Sequence, residues 1–124
     1  RGRTTRGLKM KKTVQLTQIL ADMRNIAAKK NLKDRKYGYG TDFTVPYQMV
    51  RSLYTGWIER TELIRQCYVG AQQGAQDPYA PTFAAQFDSY MKHLEKFILK
   101  DMGYVIKEDN SLFGLTYYKL EKIQ

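Results

Sequence analysis

Three stretches of the chain repeat apolar residues at every third or fourth position, which is the spacing of one face of an α-helix. They predict helices over about residues 13–30, 45–69 and 82–102. In the first helix the stripe consists of Leu16, Ile19, Leu20, Met23, Ile26 and Ala27. Thr13 is the expected N-cap of this helix, because its hydroxyl can accept a hydrogen bond from an unpaired amide. Gly103 is a typical stop signal after the third helix.

Gly56 lies inside the second helical stretch and raises an alternative interpretation. The segment YQMVRSLYTGWIERTELIRQC has the length of a DNA-binding helix-turn-helix with its turn at Gly56. Of the five positions that this motif needs to be apolar, only Trp57 is. The other four are Arg51, Thr55, Glu62 and Arg65. Because packing can offset the roughly 1 kcal/mol cost of an interior glycine, we expect one continuous helix.

The C-terminal segment has a different pattern from the helices. Residues 104–120 (YVIKEDNSLFGLTYYKL) alternate and are rich in β-branched and aromatic residues, which predicts a β-hairpin around Asp109-Asn110. The Gln/Gly/Ala-rich stretch at 70–81 predicts a flexible loop. We therefore expect an α+β fold with a single compact domain over residues 13–124.

This element order, three helices followed by a hairpin, resembles that of a winged-helix domain. The resemblance implies that the hairpin is the wing and that the third helix is the recognition helix. Two features differ from the winged-helix pattern: the second helix is longer, and so is the linker that follows it.

Charge is concentrated in two places along this chain, whose net charge is +9. Residues 1–12 carry six basic residues and no acidic one, and residues 29–36 carry five basic residues against Asp34. The rest of the chain has ten basic and eleven acidic residues. Clustered lysines and arginines release counterions when they meet phosphates, so nucleic acid is the expected partner.

The second basic cluster continues into two tyrosines, in the segment KKNLKDRKYGYG. Here the cations can neutralise phosphates, and the tyrosines can stack on exposed bases for about 1–3 kcal/mol each. The alternative interpretation is a solvated helix end followed by a loop whose tyrosines cover the core. The predicted contact residues in this cluster are Lys29, Lys30, Lys33, Arg35, Lys36, Tyr37 and Tyr39.

The N-terminal cluster is predicted to be a flexible basic tail over residues 1–12. Its predicted contact residues are Arg1, Arg3, Arg6, Lys9, Lys11 and Lys12. The chain does not begin with methionine, and one interpretation takes Met10 as the natural start. Readthrough, processing and a longer natural chain are the other interpretations of residues 1–9.

The titratable residues give little support for an enzyme. His93 is the sole histidine, which argues against His-rich metal sites, and we expect it to pack at the margin of the third helix. Cys67 is the sole cysteine and is expected to be an inert buried thiol in a reducing compartment. The sequence lacks a phosphate-binding glycine loop. The sequence therefore predicts that the protein is not an enzyme and binds no cofactor or metal. A nuclease without a recognisable motif stays an alternative.

The sequence therefore predicts a non-enzymatic, intracellular nucleic-acid-binding protein that contacts phosphates largely independently of base sequence. DNA and RNA are equally open. One alternative is a structural or interaction subunit of a virion or ribonucleoprotein particle, with protein contacts through aromatic surfaces and the 70–81 loop. A host-targeting inhibitor is another. No apolar run approaches the roughly 20 residues of a membrane span, so no membrane partner is expected.

Overall fold

The computed structural model describes residues 2–32, 37, 39, 44–71, 81–110 and 112–123. The elements in these ranges confirm the predicted α+β class. In chain order they are α1 (Gly2–Lys29), α2 (Val45–Tyr54), β1 (Ile58–Glu59), α3 (Arg60–Ala71), α4 (Pro81–Leu94), a π-helical turn (Glu95–Leu99), α5 (Lys100–Met102), β2 (Tyr104–Asn110), a short turn (Leu112–Gly114) and β3 (Thr116–Lys122). The segment from α4 to α5 is helical throughout, and we call residues 81–102 the C-terminal helix. The predicted flexible loop at 70–81 falls mostly on residues 72–80, which lie outside the described ranges.

Helix α1 begins well before the predicted start. It starts at Gly2, so Thr13 lies inside the helix and is not its N-cap. Lysine and arginine are good helix formers and no proline interrupts the segment, which allows the helix to extend through the basic cluster. The predicted apolar stripe is confirmed, since Ile19, Leu20, Met23 and Ala27 are buried. That residues 1–12 are flexible in solution stays a prediction.

The prediction of one continuous helix over residues 45–69 is wrong, because the chain turns at Gly56. The backbone of Gly56 has a φ of 126°, a conformation that residues with a side chain rarely adopt. Two residues later the chain enters β1, where Ile58 pairs with Tyr118 of β3. Pairing with β3 supplies a tertiary interaction that the local helical pattern does not encode. Trp57, which directly follows the turn, is exposed.

The described strands form an antiparallel sheet in the order β1-β3-β2. Strands β2 and β3 form the predicted hairpin, with Tyr104 opposite Lys122 and Asn110 opposite Thr116. Its turn lies further along the chain than predicted, at Phe113 and Gly114, both of which have positive φ. Asp109 and Asn110 are thus the last residues of β2 rather than the turn.

The break at Gly56 and the three-stranded sheet leave the element order loosely winged-helix-like. That order is α2, β1, α3, C-terminal helix, β2, β3, and β1 explains the excess length of the second predicted helix. Helix α1 precedes these elements.

Arg60 fixes the C-terminal helix against the sheet. Its guanidinium donates to both carboxylate oxygens of Asp88, at 2.8 and 3.3 Å, and to the hydroxyl of Tyr118, at 3.1 Å. It also lies over the ring of Phe87, 5.4 Å from the ring centroid. Since Arg60 begins α3, one side chain links α3, the C-terminal helix and β3.

Candidate nucleic-acid interface

Tyr39 and Tyr37 face the C-terminal helix rather than solvent. Tyr39 is only 2% exposed, and its hydroxyl lies 3.0 Å from Nδ1 of His93. The ring of Tyr37 is stacked on the His93 ring at 3.9 Å and meets the edge of Tyr90 at 5.6 Å. The hydroxyl of Tyr47 donates to the Tyr39 carbonyl at 3.1 Å. The Tyr39 ring is therefore buried in this structure, and its predicted role in stacking on nucleic-acid bases stays a prediction.

His93 is the centre of this cluster and packs as the sequence indicated. It is half-buried, and besides the two tyrosines it contacts the ring of Phe97 at 4.5 Å. Its partners are aromatic rings and a hydroxyl, so the cluster joins the 37–39 segment to the C-terminal helix by packing.

Lys30 is committed to an intramolecular role. Its ammonium lies 2.7 Å from a carboxylate oxygen of Asp101 and donates to the Phe97 carbonyl at 2.6 Å. These two bonds join the end of α1 to the C-terminal helix. The neighbouring Lys29 is exposed, and so is Lys30, so both of these predicted contact residues lie at the surface.

Other predicted contact residues are less fully described. Arg1, Lys33, Arg35 and Lys36 lie outside the described residues. The structure describes the helical backbone of α1 for the remaining five, namely Arg3, Arg6, Lys9, Lys11 and Lys12.

Three lysines that were not among the predicted contact residues form a ridge on the C-terminal helix. Lys92, Lys96 and Lys100 are all exposed and are spaced four residues apart, so they lie above one another on one face. No ion pair joins any of them to another residue in the described parts of the chain. Like charges at this spacing destabilise a helix by about 0.2–0.5 kcal/mol per pair. We call these three residues the lysine ridge.

The acidic residues of the same helix are all engaged elsewhere. Asp88 is bound by Arg60, and Asp101 is bound by Lys30. Glu95 accepts a hydrogen bond from the backbone amide of Ile106 in β2 at 2.9 Å. The carboxylates thus hold the helix in the fold, while the ridge lysines, which line one groove together with the Glu95 carboxylate, face solvent.

The ridge lies between the hairpin and the basic segment. Glu95 marks the side of the helix that contacts β2, whereas His93 and Asp101 mark the side that contacts Tyr37 and Lys30. All three ridge lysines line one groove at the base of the hairpin, so the ridge lies next to the side that contacts β2. The buried residues of the same helix, which include Phe87, Leu94, Ile98 and Leu99, face the core. Gln86 and Ser89, both exposed, continue the same outward face toward the N-terminus of the helix.

Helical spacing in the sequence could have identified this ridge. Lys92, Lys96 and Lys100 recur at four-residue intervals on the polar side of the clearest apolar stripe in the chain. They escape a search for charge density because apolar and acidic residues separate them. A projection of residues 82–102 onto a helix would have shown them together.

Neither Cys67 nor Glu62 has the chemistry of a catalytic group. Cys67 is fully buried, and burial raises the pKa of its thiol far above the usual value, which keeps it protonated and unreactive. Arg65 donates to the Glu62 carboxylate, as does Gln66 at 3.1 Å, and these bonds lower the pKa of Glu62 to about 2. Glu62 is therefore a fully ionised surface carboxylate at neutral pH.

The described parts of the chain contain neither a candidate metal-binding group nor a helix suited to cross a membrane. No group of three or more His, Cys, Asp or Glu side chains there is placed to hold a metal ion. Nor does any helix in those parts combine the length and hydropathy that a bilayer crossing requires.

No protein-family model, curated protein or solved structure matches the chain. A function for this surface is therefore argued from its own geometry and charge.

Proposed function

We propose that this protein is a non-enzymatic nucleic-acid-binding protein whose lysine ridge contacts the phosphate backbone. The observation that carries the proposal is the division of charge on the C-terminal helix. Its lysines are exposed and its acids are bound within the fold. Phosphate is the ligand that such a row of ammonium groups binds with the largest release of counterions.

The position of the ridge supports the same proposal. In the winged-helix-like order, the C-terminal helix has the place of the element that enters a groove of the duplex. Both described ends of the basic segment 29–39 contact this helix, through Lys30 and Tyr37. Lys29, at the described start of the segment, is exposed.

The hairpin has a smaller part in phosphate binding in this proposal. Residues 108–118 include Glu108 and Asp109 and no basic residue, so the end of the wing repels phosphate. The helix and the basic segment supply the affinity, and because ammonium groups read charge rather than base edges, binding is largely independent of sequence.

Salt titration tests the proposal. The affinity of the full chain for duplex and single-stranded DNA and RNA would be measured by fluorescence anisotropy at several salt concentrations. We expect log K to fall linearly with log salt, and the triple substitution K92A/K96A/K100A to flatten the slope for duplex DNA by about 2.7, or roughly 0.9 per lost contact. Affinity that does not depend on salt, or no binding to any of the four, contradicts the proposal.

A matched control comes from the outer face of the sheet. Lys107 and Lys119 are opposite each other in the hairpin, and since Lys119 follows the buried Tyr118, both point away from the core. The double substitution K107A/K119A removes positive charge at a distance from the ridge. We expect it to change the slope much less per lysine than the ridge substitutions do.

A further inference from the structure

The tip of the hairpin exposes an aromatic ring in an unfavourable backbone conformation. Phe113 is 95% exposed and has a φ of 67°, and Gly114 follows with a φ of 74°. Two successive residues with positive φ are what a type I′ turn requires, and Asn-Gly is the preferred pair at these positions. A phenylalanine there costs backbone strain and leaves its ring in water, so nothing within the fold accounts for it.

The surroundings of Phe113 define the chemistry of a partner. Leu115, beside it, is also exposed, and Glu108 and Asp109 precede the turn at the end of β2. The tip is therefore an apolar knob with two negative charges behind it. A complementary site has an apolar floor and a positively charged rim.

Such a site lies at the other end of the hairpin. A groove of about 420 Å³, with a mostly apolar surface, runs between the C-terminal helix and the base of the hairpin. Tyr104, Val105 and Ile123 supply its apolar floor, and Ile123 is itself exposed. The rim carries all three lysines of the lysine ridge and Glu95, whose carboxylate is bound to the Ile106 amide.

We infer that the hairpin tip of one copy of this chain docks into this groove on a second copy. Phe113 enters the apolar floor, and one of the two acidic residues of the tip, which project from opposite faces of β2, faces the ridge lysines. Tip and groove are different surfaces at opposite ends of the same hairpin, so the contact is heterologous, and each bound copy still offers one free tip or one free groove. A contact built on one aromatic anchor is small, so the association is weak and concentration-dependent.

This inference does not depend on the proposed function, although both use the ridge lysines. Because a docked tip covers the lysines that would contact phosphate, nucleic acid and self-association compete. The tests below therefore use protein free of nucleic acid.

Two substitutions separate the two halves of the contact. Phe113→Asn removes the ring and places a residue that tolerates positive φ, so it leaves the fold intact. Lys96→Glu reverses one charge on the rim of the groove. Thermal unfolding followed by circular dichroism would confirm that both variants fold, and we expect the midpoint of Phe113→Asn to be equal to or above that of the parent chain.

Sedimentation equilibrium of the full chain from micromolar to millimolar concentration is the test. The average mass of the parent chain should rise with concentration, and each variant should associate at least about ten-fold more weakly. An equimolar mixture of the two variants should recover association and stop at two chains, since only one intact tip and one intact groove remain per pair. Trp57→Ser, which removes another exposed aromatic ring, is the matched control and should associate like the parent.

Three results of the mass measurements would overturn the inference. They are a parent chain that stays monomeric over the whole range, a Phe113→Asn variant that associates as strongly as the parent, and a mixture that shows no recovery. A Phe113→Asn variant that loses affinity for nucleic acid without changing mass would assign the ring to nucleic-acid bases, and would also overturn it.

Discussion

The described part of residues 29–39 (29–32, 37 and 39) and the lysine ridge differ in how their side chains are used. In the first, Lys30 is bound to Asp101 and to a backbone carbonyl, Tyr39 is buried, and Tyr37 is stacked on His93. In the second, three lysines separated along the sequence face solvent together. Density of charge along a chain thus does not tell which cations can bind a ligand. That depends on which of them the fold has already paired.

The largest effect expected from this comparison concerns Tyr39. If its ring belongs to the core, Tyr39→Ala should lower the free energy of unfolding by about 3–5 kcal/mol, the range typical of buried aromatic residues. Urea denaturation measures this loss. The ridge variant K92A/K96A/K100A should change stability by less than about 0.5 kcal/mol per site, as exposed positions usually do. A Tyr39→Ala variant that keeps its stability and loses affinity for nucleic acid would reverse the roles of the two regions.

A smaller effect is expected to distinguish Lys30 from Lys96, which carry the same charge. Lys30→Met keeps the aliphatic stem but loses the ion pair with Asp101, so it should cost about 1 kcal/mol or less in stability and leave the salt dependence of nucleic-acid binding almost unchanged. Lys96→Met should do the opposite, with unaltered stability and a slope for duplex DNA that is flatter by about 0.9. Denaturation and anisotropy titrations on both variants provide the two readouts. Equal losses of slope in the two variants would show that Lys30 also contacts phosphate.

The parts of the fold that local pattern determines could be predicted from the sequence. The apolar stripes of α1 and of the C-terminal helix, the stop at Gly103 and the pairing of β2 with β3 all follow from periodicity and residue type. The break at Gly56 could not be predicted in the same way. The apolar spacing on either side of it fits a continuous helix, and only the pairing of Ile58 with Tyr118, sixty residues away, favours a strand.

At the candidate site, too, contacts between residues distant in sequence could not be predicted. Sequence reasoning found the clusters of charge but could not see that Asp101 would neutralise Lys30, since the two residues meet only in the folded chain. It also could not see that the Glu95 carboxylate would accept a hydrogen bond from the Ile106 amide and that Asp88 would pair with Arg60, so that neither acid forms an ion pair with a ridge lysine in the described parts of the chain. In both cases long-range pairing decides which charges remain available.

Lysine footprinting tests the central claim most directly, because it observes the lysine ridge and the outer face of the sheet in one sample. The full chain would be treated briefly with an amine-acetylating reagent, with and without duplex or single-stranded nucleic acid at low salt, and modification at each lysine would be quantified by mass spectrometry. The account predicts that nucleic acid lowers the reactivity of Lys92, Lys96 and Lys100 several-fold, while Lys107 and Lys119 on the outer face of the sheet keep theirs. Protection of Lys107 and Lys119 together with unchanged reactivity of the ridge would contradict it.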